Sequence, residues 1–226
     1  MHRDSWALLA LLSCTVPGPD AAEERIRYLR PARGKFVTEC EFTIVRGNGG
    51  GSITSVTGRG ETTLTVTARW GADDRLVCAD ATLVSGGRRR VARVQVADGK
   101  ARVHREGQDP QEFEIPPGVI VTSAPDWTDA LLLCRRYDRA KGGRQSFAGL
   151  WIHPEQPAQR LTFTIERQGG DTLEHESRRM ELDRHVIRLR GNSAYVAWAD
   201  AEGRMIKLAP DGLVLEGLEA STSGLK

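Results

Sequence analysis

The sequence predicts a mainly β fold: a curved antiparallel meander, or half-barrel, with one helix packed on its concave face. Three observations predict it. Apolar and polar residues alternate along most of the chain after Gly34, turn residues punctuate these runs at short intervals, and only Ser123–Gly143 shows a helical period. Alternation with period two places one side of each strand on a core and the other in water, as antiparallel sheets do.

The strands follow in order. Cys40, Phe42 and Ile44 alternate with Glu39, Glu41 and Thr43, and Leu64, Val66, Ala68 and Trp70 alternate with Thr63, Thr65, Thr67 and Arg69. Val94 and Val96, Val103, and then Phe113 and Ile115 continue the habit. Turns are expected at Gly47–Gly51, Gly71–Asp74, Gly86-Gly87, Asp98-Gly99 and Pro116-Pro117-Gly118. Asp-Gly between alternating runs is a strong two-residue hairpin signal. In the second half Leu161, Phe163 and Ile165 alternate with threonines, and Gly169-Gly170-Asp171 is expected to turn the chain. Strands are then expected over 172–183, 186–190, 194–200, 205–208 and 213–215. About a dozen strands with short connections favour a meander of sequential neighbours. No segment of the βαβ kind is evident, so a parallel sheet is not expected.

The helix is expected near 124–140. Ser123 or Asp126 is placed to cap it, with Pro125 tolerated in a first turn. Trp127, Ala130, Leu131, Cys134 and Tyr137 form one apolar stripe. Arg135, Arg136, Arg139 and Lys141 crowd the C-terminal end, where cations suit the helix dipole, and Arg135, Arg136 and Arg139 would stay free for solvent or a partner. Gly142-Gly143 would stop it. A helix with that stripe must lie on a sheet, because nothing else in this chain covers it.

Composition sets the class. The 226 residues carry a net charge of +2, with 39% hydrophobic and 27% charged residues, which describes a globular chain. That balance produces no whole-protein field for nucleic acid. Residues 1–22 have the layout of a secretory signal: a basic start at Arg3, an uncharged run Trp6–Val16, breakers Pro17-Gly18-Pro19, and Ala21-Ala22. Leu11-Leu12-Ser13-Cys14 also resembles a bacterial lipobox, which would make Cys14 a lipidated first residue. Either cleavage makes the protein exported, periplasmic or attached to the cell envelope, and leaves 23–226 as one β-rich domain with no run long enough to span a membrane. Cys40, Cys78 and Cys134 then remain, an odd number that permits one disulfide. Cys40–Cys78 is the favoured pair; three buried thiols is the alternative.

No catalytic motif stands out: no G-x-S-x-G, H-E-x-x-H, P-loop, C-x-x-C or strand-borne G-x-G-x-x-G occurs. His104, His153, His175 and His185 are scattered, so no metal or cofactor is expected. The basic run Arg88-Arg89-Arg90 sits at a predicted hairpin turn without interleaved aromatics, which suits a solvated edge better than phosphate binding. Thr54–Thr67 reads as strand with a wet threonine face.

Residues 129–138 (DALLLCRRYD), 140–147 (AKGGRQSF) and 194–208 (AYVAWADAEGRMIKL), with the cue W-x-D-x-x-G-R at Trp198, Asp200, Gly203 and Arg204, carry a resemblance. They look like exported bacterial β-rich domains of unknown function, similar in outline to the LolA/LolB-like and DUF3108-like proteins. The resemblance covers roughly the last hundred residues. It implies a curved sheet with a helix in its hollow and no catalytic residues. The resulting expectation is a non-enzymatic exported protein that takes a lipid or other hydrophobic ligand between sheet and helix. Trp70, Phe113, Trp127, Leu131, Tyr137, Phe163 and Trp198 are the candidate lining, within an inner wall that also draws on Leu161, Ile187, Leu189 and Val196. The alternatives are an envelope-tethered module that binds another envelope protein, and a hydrolase with an unrecognised site.

Overall fold

A computed structural model describes residues 22–32, 35–123, 127–175, 178–189, 193–209 and 213–215. Residues 1–21 of the expected signal segment, Cys14 among them, and Pro125 and Asp126 lie outside them. The first eight strands are β1 (Ala22–Ala32), β2 (Lys35–Gly47), β3 (Gly50–Arg59), β4 (Thr62–Gly71), β5 (Leu76–Ser85), β6 (Arg88–Ala97), β7 (Lys100–Arg105) and β8 (Gln111–Glu114). After β9 (Ile120–Thr122) comes α1 (Thr128–Arg136). The rest are β10 (Arg144–His153), β11 (Gln156–His175), β12 (Arg178–Leu189), β13 (Ser193–Ala199), β14 (Met205–Ala209) and β15 (Leu213–Leu215).

All these strands join one sheet, in the order β8 back through β1, then β15 back through β9. Two meanders are therefore zipped together where β1 pairs with β15. The predicted alternation is realised: along β4, Leu64, Val66, Ala68 and Trp70 are buried and the threonines between them half-exposed. Thr54 and Thr67 meet across the wet face with their hydroxyls 3.1 Å apart. Asp98 and Gly99 both take positive φ (52° and 73°), the backbone of a type I′ hairpin.

The sheet curls until its two ends approach. β10 packs across β5 and β6, and β8 abuts β11. Gln111 on β8 accepts the backbone N–H of Ala158 on β11 at 2.9 Å, and Arg90 pairs with Glu155. Ile120, Val121 and Thr122 are all buried, so β9 is covered on both faces. Phe163 lies over Gly149 of the neighbouring strand, where a Cβ would stand 2.3 Å from the ring. Glycine at 149 leaves that space.

Four expectations need correction. The helix spans nine residues, Thr128–Arg136. It starts after Trp127, whose left-handed φ of 55° breaks the turn, with no side-chain cap. It ends well before Gly142-Gly143 because Asp138 and Gln145 satisfy the following backbone: Asp138 accepts the N–H of Ala140 and Lys141, and Gln145 bonds both backbone groups of Asp138. Second, Thr128–Cys134 are all buried, Leu132 and Leu133 with the expected stripe. The helix packs in the hollow of the curled sheet as expected, but with more of its surface buried than that one stripe. Third, Gly169-Gly170 does not turn the chain; it forms an irregularity inside the long strand β11. Fourth, β9 and β10 pair in parallel with α1 as their connection, so one βαβ unit is present.

Candidate functional site

The site is built where α1 ends at one mouth of the curled sheet. Three arginines in and just after its last turn reach three different parts of the wall. Arg135 donates two hydrogen bonds to the carboxylate of Glu24 on β1, at 2.8 and 2.9 Å. This pairing holds the Glu24 carboxyl below its usual range. Arg136 donates to the carbonyl of Gly118, approaches Asp74 at 3.4 Å and lies 5.9 Å from the Trp70 ring. Arg139 pairs with Asp183 on β12 at 2.9 Å. The basic end expected to be free is thus tied to the sheet, since helix carbonyls and nearby carboxylates both attract it.

The W-x-D-x-x-G-R segment closes this mouth. Asp200 accepts the backbone N–H of Arg204 at 2.8 Å and its guanidinium at 2.9 Å, which shapes the β13–β14 turn. Gly203 has φ 74°, and a Cβ there would stand 2.7 Å from the Cys134 carbonyl. The turn therefore sits directly on the helix end.

Three cavities surround this helix end. A cleft of about 370 Å³ separates β2–β4 from the helix and is lined by Ile44, Ile53, Trp70 and Leu132, with Arg46 and Arg136 among its polar groups. A second, of about 500 Å³, is lined by Glu24, Arg46, Arg135, Asp200, Glu202 and Arg204. The two share Arg46 and Arg135 and so adjoin. A chamber of about 130 Å³ lies between Cys134, Tyr137, Arg139, Asp183, His185 and the Asp200–Gly203 turn.

The chamber holds the most perturbed groups. Burial pushes the His185 imidazole down to about 4, so it is neutral at pH 7, and its Nδ1 has no partner among the described residues. Asp183 is held between Arg139 and Arg167, the latter at 2.6 Å. Burial pushes the Cys134 thiol up to about 12. A thiol protonated to that degree is a poor nucleophile. His153 stacks on Trp151 at the far end of the β10–β11 ladder. His185 pairs across to Arg167 near the opposite end, about 36 Å along the strands. Among the described residues, no three His, Cys, Asp or Glu side chains converge in a way that would hold a metal.

The sequence-predicted lining is divided by the structure. Trp70 borders the cleft of about 370 Å³, and its indole donates to the Val119 carbonyl at 3.3 Å. Leu131 and Phe163 are fully buried core, and Phe113 packs against that core half-buried. Trp127 meets Tyr195 edge-on at 6.0 Å, while Tyr137 borders the small chamber with His185 4.8 Å away. Trp198 requires correction. It belongs to a separate cluster with Leu173, Leu182 and Ile206, donates to Asp171 and lies under Lys207. Ala197 and Ala199 face the core in its place, since both parities of AYVAWA are apolar and alternation there is ambiguous. The Cys40–Cys78 pairing is also corrected. Neither is in a disulfide: they lie three strand positions apart, with Cys40 inside and Cys78 on the outer face beside Asp80 and Thr82. Sequence reasoning missed Arg46, Leu132, Asp183 and the burial of His185; a buried Asp-x-His pair on one strand face has no local signature.

The fold defines a β-barrel-like protein. Two solved structures resemble it, both at low identity. One is a β-barrel-like protein of the domain of unknown function DUF1849 from Brucella abortus, with TM-score 0.52, 9% identity, 85% of this chain and 92% of that chain covered. The other is a DUF1089 family protein from Pseudomonas aeruginosa, with TM-score 0.48, 16% identity, and 93% and 98% coverage. No family model matches the sequence, and neither does any curated protein. The first of these supports the half-barrel and the β-rich outline; it does not show the resemblance to LolA/LolB-like or DUF3108-like proteins.

Proposed function

We propose that this is an exported, non-catalytic protein that holds an amphipathic ligand in the cleft between β2–β4 and the end of α1. One observation carries the reading. A cleft of about 370 Å³ places Ile44, Ile53, Trp70 and Leu132 beside guanidinium groups. Ligand sites commonly occupy about 300–1,000 Å³, with apolar walls and a few oriented polar groups. The apolar part of the ligand would rest on Trp70 and Leu132, and its polar part would point to the adjoining charged cleft. The chamber at His185 offers a neutral imidazole, a locked carboxylate and an inert thiol, which supports holding over bond-breaking. Export rests on the layout of residues 1–22, and no described helix is long and apolar enough to cross a membrane.

Native mass spectrometry of protein purified from its own cells tests the reading. A co-purifying amphiphile lost in Trp70→Ala and Leu132→Ser variants that still fold is the expected result. The same small molecule retained in both variants would place the ligand elsewhere. Sequencing of the mature N-terminus tests export: a blocked Cys14 or a start near Glu23 is expected, and an intact Met1 contradicts it.

A further inference from the structure

We infer that the polar head of the ligand is zwitterionic, one negative and one positive group; this rests on the amphiphile reading above and concerns the charged cleft beside it. Six charged side chains line that cleft, three guanidinium groups and three carboxylates. Four of them cancel within the fold. Arg135 is spent on Glu24 in two hydrogen bonds, and Arg204 on Asp200 at 2.9 Å. Glu24 is set by this neighbourhood: Arg135 first, then Arg46 and Arg204, all lower its carboxyl.

Two side chains stand outside these pairs. Arg46, at the end of β2, acts on Glu24 only through space, and Glu202 lies in the β13–β14 turn; both are exposed, and neither makes a hydrogen bond or ion pair with another described residue. A ligand reaching this cleft therefore meets one exposed cation on β2 and one exposed anion on the β13–β14 turn. A purely anionic head would gain Arg46 but face Glu202, and a purely cationic head the reverse. A head with a phosphate and an ammonium satisfies both, with the phosphate at Arg46, whose planar fork suits phosphate oxygens. Because Arg46 lines both clefts, a phosphate there sits at the junction, with the apolar tail running toward Trp70 and the ammonium toward Glu202.

The test uses the intact exported protein and short-chain lipids below their micelle concentration, titrated by calorimetry. Dihexanoyl phosphatidylethanolamine should bind about fivefold or more tightly than dihexanoyl phosphatidylglycerol, a difference in the range of one partly exposed charge pair. Glu202→Lys should reverse the preference, and Arg46→Gln should weaken both lipids. Equal or tighter binding of the phosphatidylglycerol by the unaltered protein overturns the zwitterion while leaving the apolar cleft standing. Binding of free O-phosphoethanolamine as tight as the lipid keeps the head assignment and removes the tail from the cleft. No binding of either lipid, with Trp70→Ala indistinguishable, overturns both.

Discussion

Glu24 on the first strand and Arg135 at the end of the helix share two hydrogen bonds, at 2.8 and 2.9 Å, although 111 positions separate them in the chain. This contact ties the β1 seam, where the two meanders meet, to the element they enclose. It also removes from solvent a guanidinium that is only 12% exposed.

The pair makes an acid-sensitive contribution. The folded Glu24 carboxyl titrates below its ordinary 4.5, so its stabilisation is present above that value and lost as pH falls through the lowered one. Glu24 is itself nearly half exposed, so Glu24→Gln should cost no more than about 1 kcal/mol at pH 7. Urea unfolding at pH 7 and pH 3.5 should show the variant's deficit shrinking at the lower pH. An unchanged deficit means the cost is not electrostatic.

His185 adds to the same acid limb from inside. Its folded value of about 4 lies below the ordinary 6.5, so the unfolded chain takes up the proton first and stability falls between those values. Replacing it with Gln should flatten the stability curve from pH 6.5 to 4, measured by thermal melts in matched ionic strength. A curve as steep as that of the unaltered protein would show that His185 does not titrate as a buried neutral group.

Leu131 is fully buried in an enclosed helix. Leu131→Ala should destabilise by about 2–5 kcal/mol in denaturant unfolding, the sum of lost transfer energy and a cavity. A loss under about 1 kcal/mol would mean that the helix is peripheral.

Gly149 and Phe163 should behave as one unit. Gly149→Ala drives a methyl into the ring at 2.3 Å and should cost about 1–3 kcal/mol. Combining it with Phe163→Leu should recover part of that loss, giving a coupling energy above about 0.5 kcal/mol in a double-mutant cycle. Strict additivity would contradict the contact.

The thiols give a covalent check. Denatured, unreduced protein treated with iodoacetamide should carry the label on Cys40, Cys78 and Cys134, read by peptide mass spectrometry. A Cys40–Cys78 bridge in that digest would contradict the separation of the two strands.

How much was legible in the chain follows from how far each signal reaches. Strand alternation is a local property, and Leu64 to Trp70, Asp98-Gly99 and Leu161 to Ile165 each state it within a few residues. The half-barrel and the buried helix followed from such patterns, because a period-two face and a helical stripe both need cover. Trp198 was misplaced because AYVAWA is apolar on both parities, and no local rule says which parity faces in. The helix length was overdrawn because its end is set by Asp138 and Gln145, seven residues apart, and not by the glycine pair.

By itself, then, the sequence determined the mainly β class, the succession of strands and the position of one apolar helix. Only the tertiary structure decided that β1 zips to β15, that Arg135, Arg136 and Arg139 are tied to Glu24, Gly118 and Asp183, and that Arg46 and Glu202 border one cleft. The reason is physical. Hydrophobic periodicity is encoded between neighbours a few residues apart, whereas ion pairing and cavity shape depend on groups brought together from distant strands when the sheet curls.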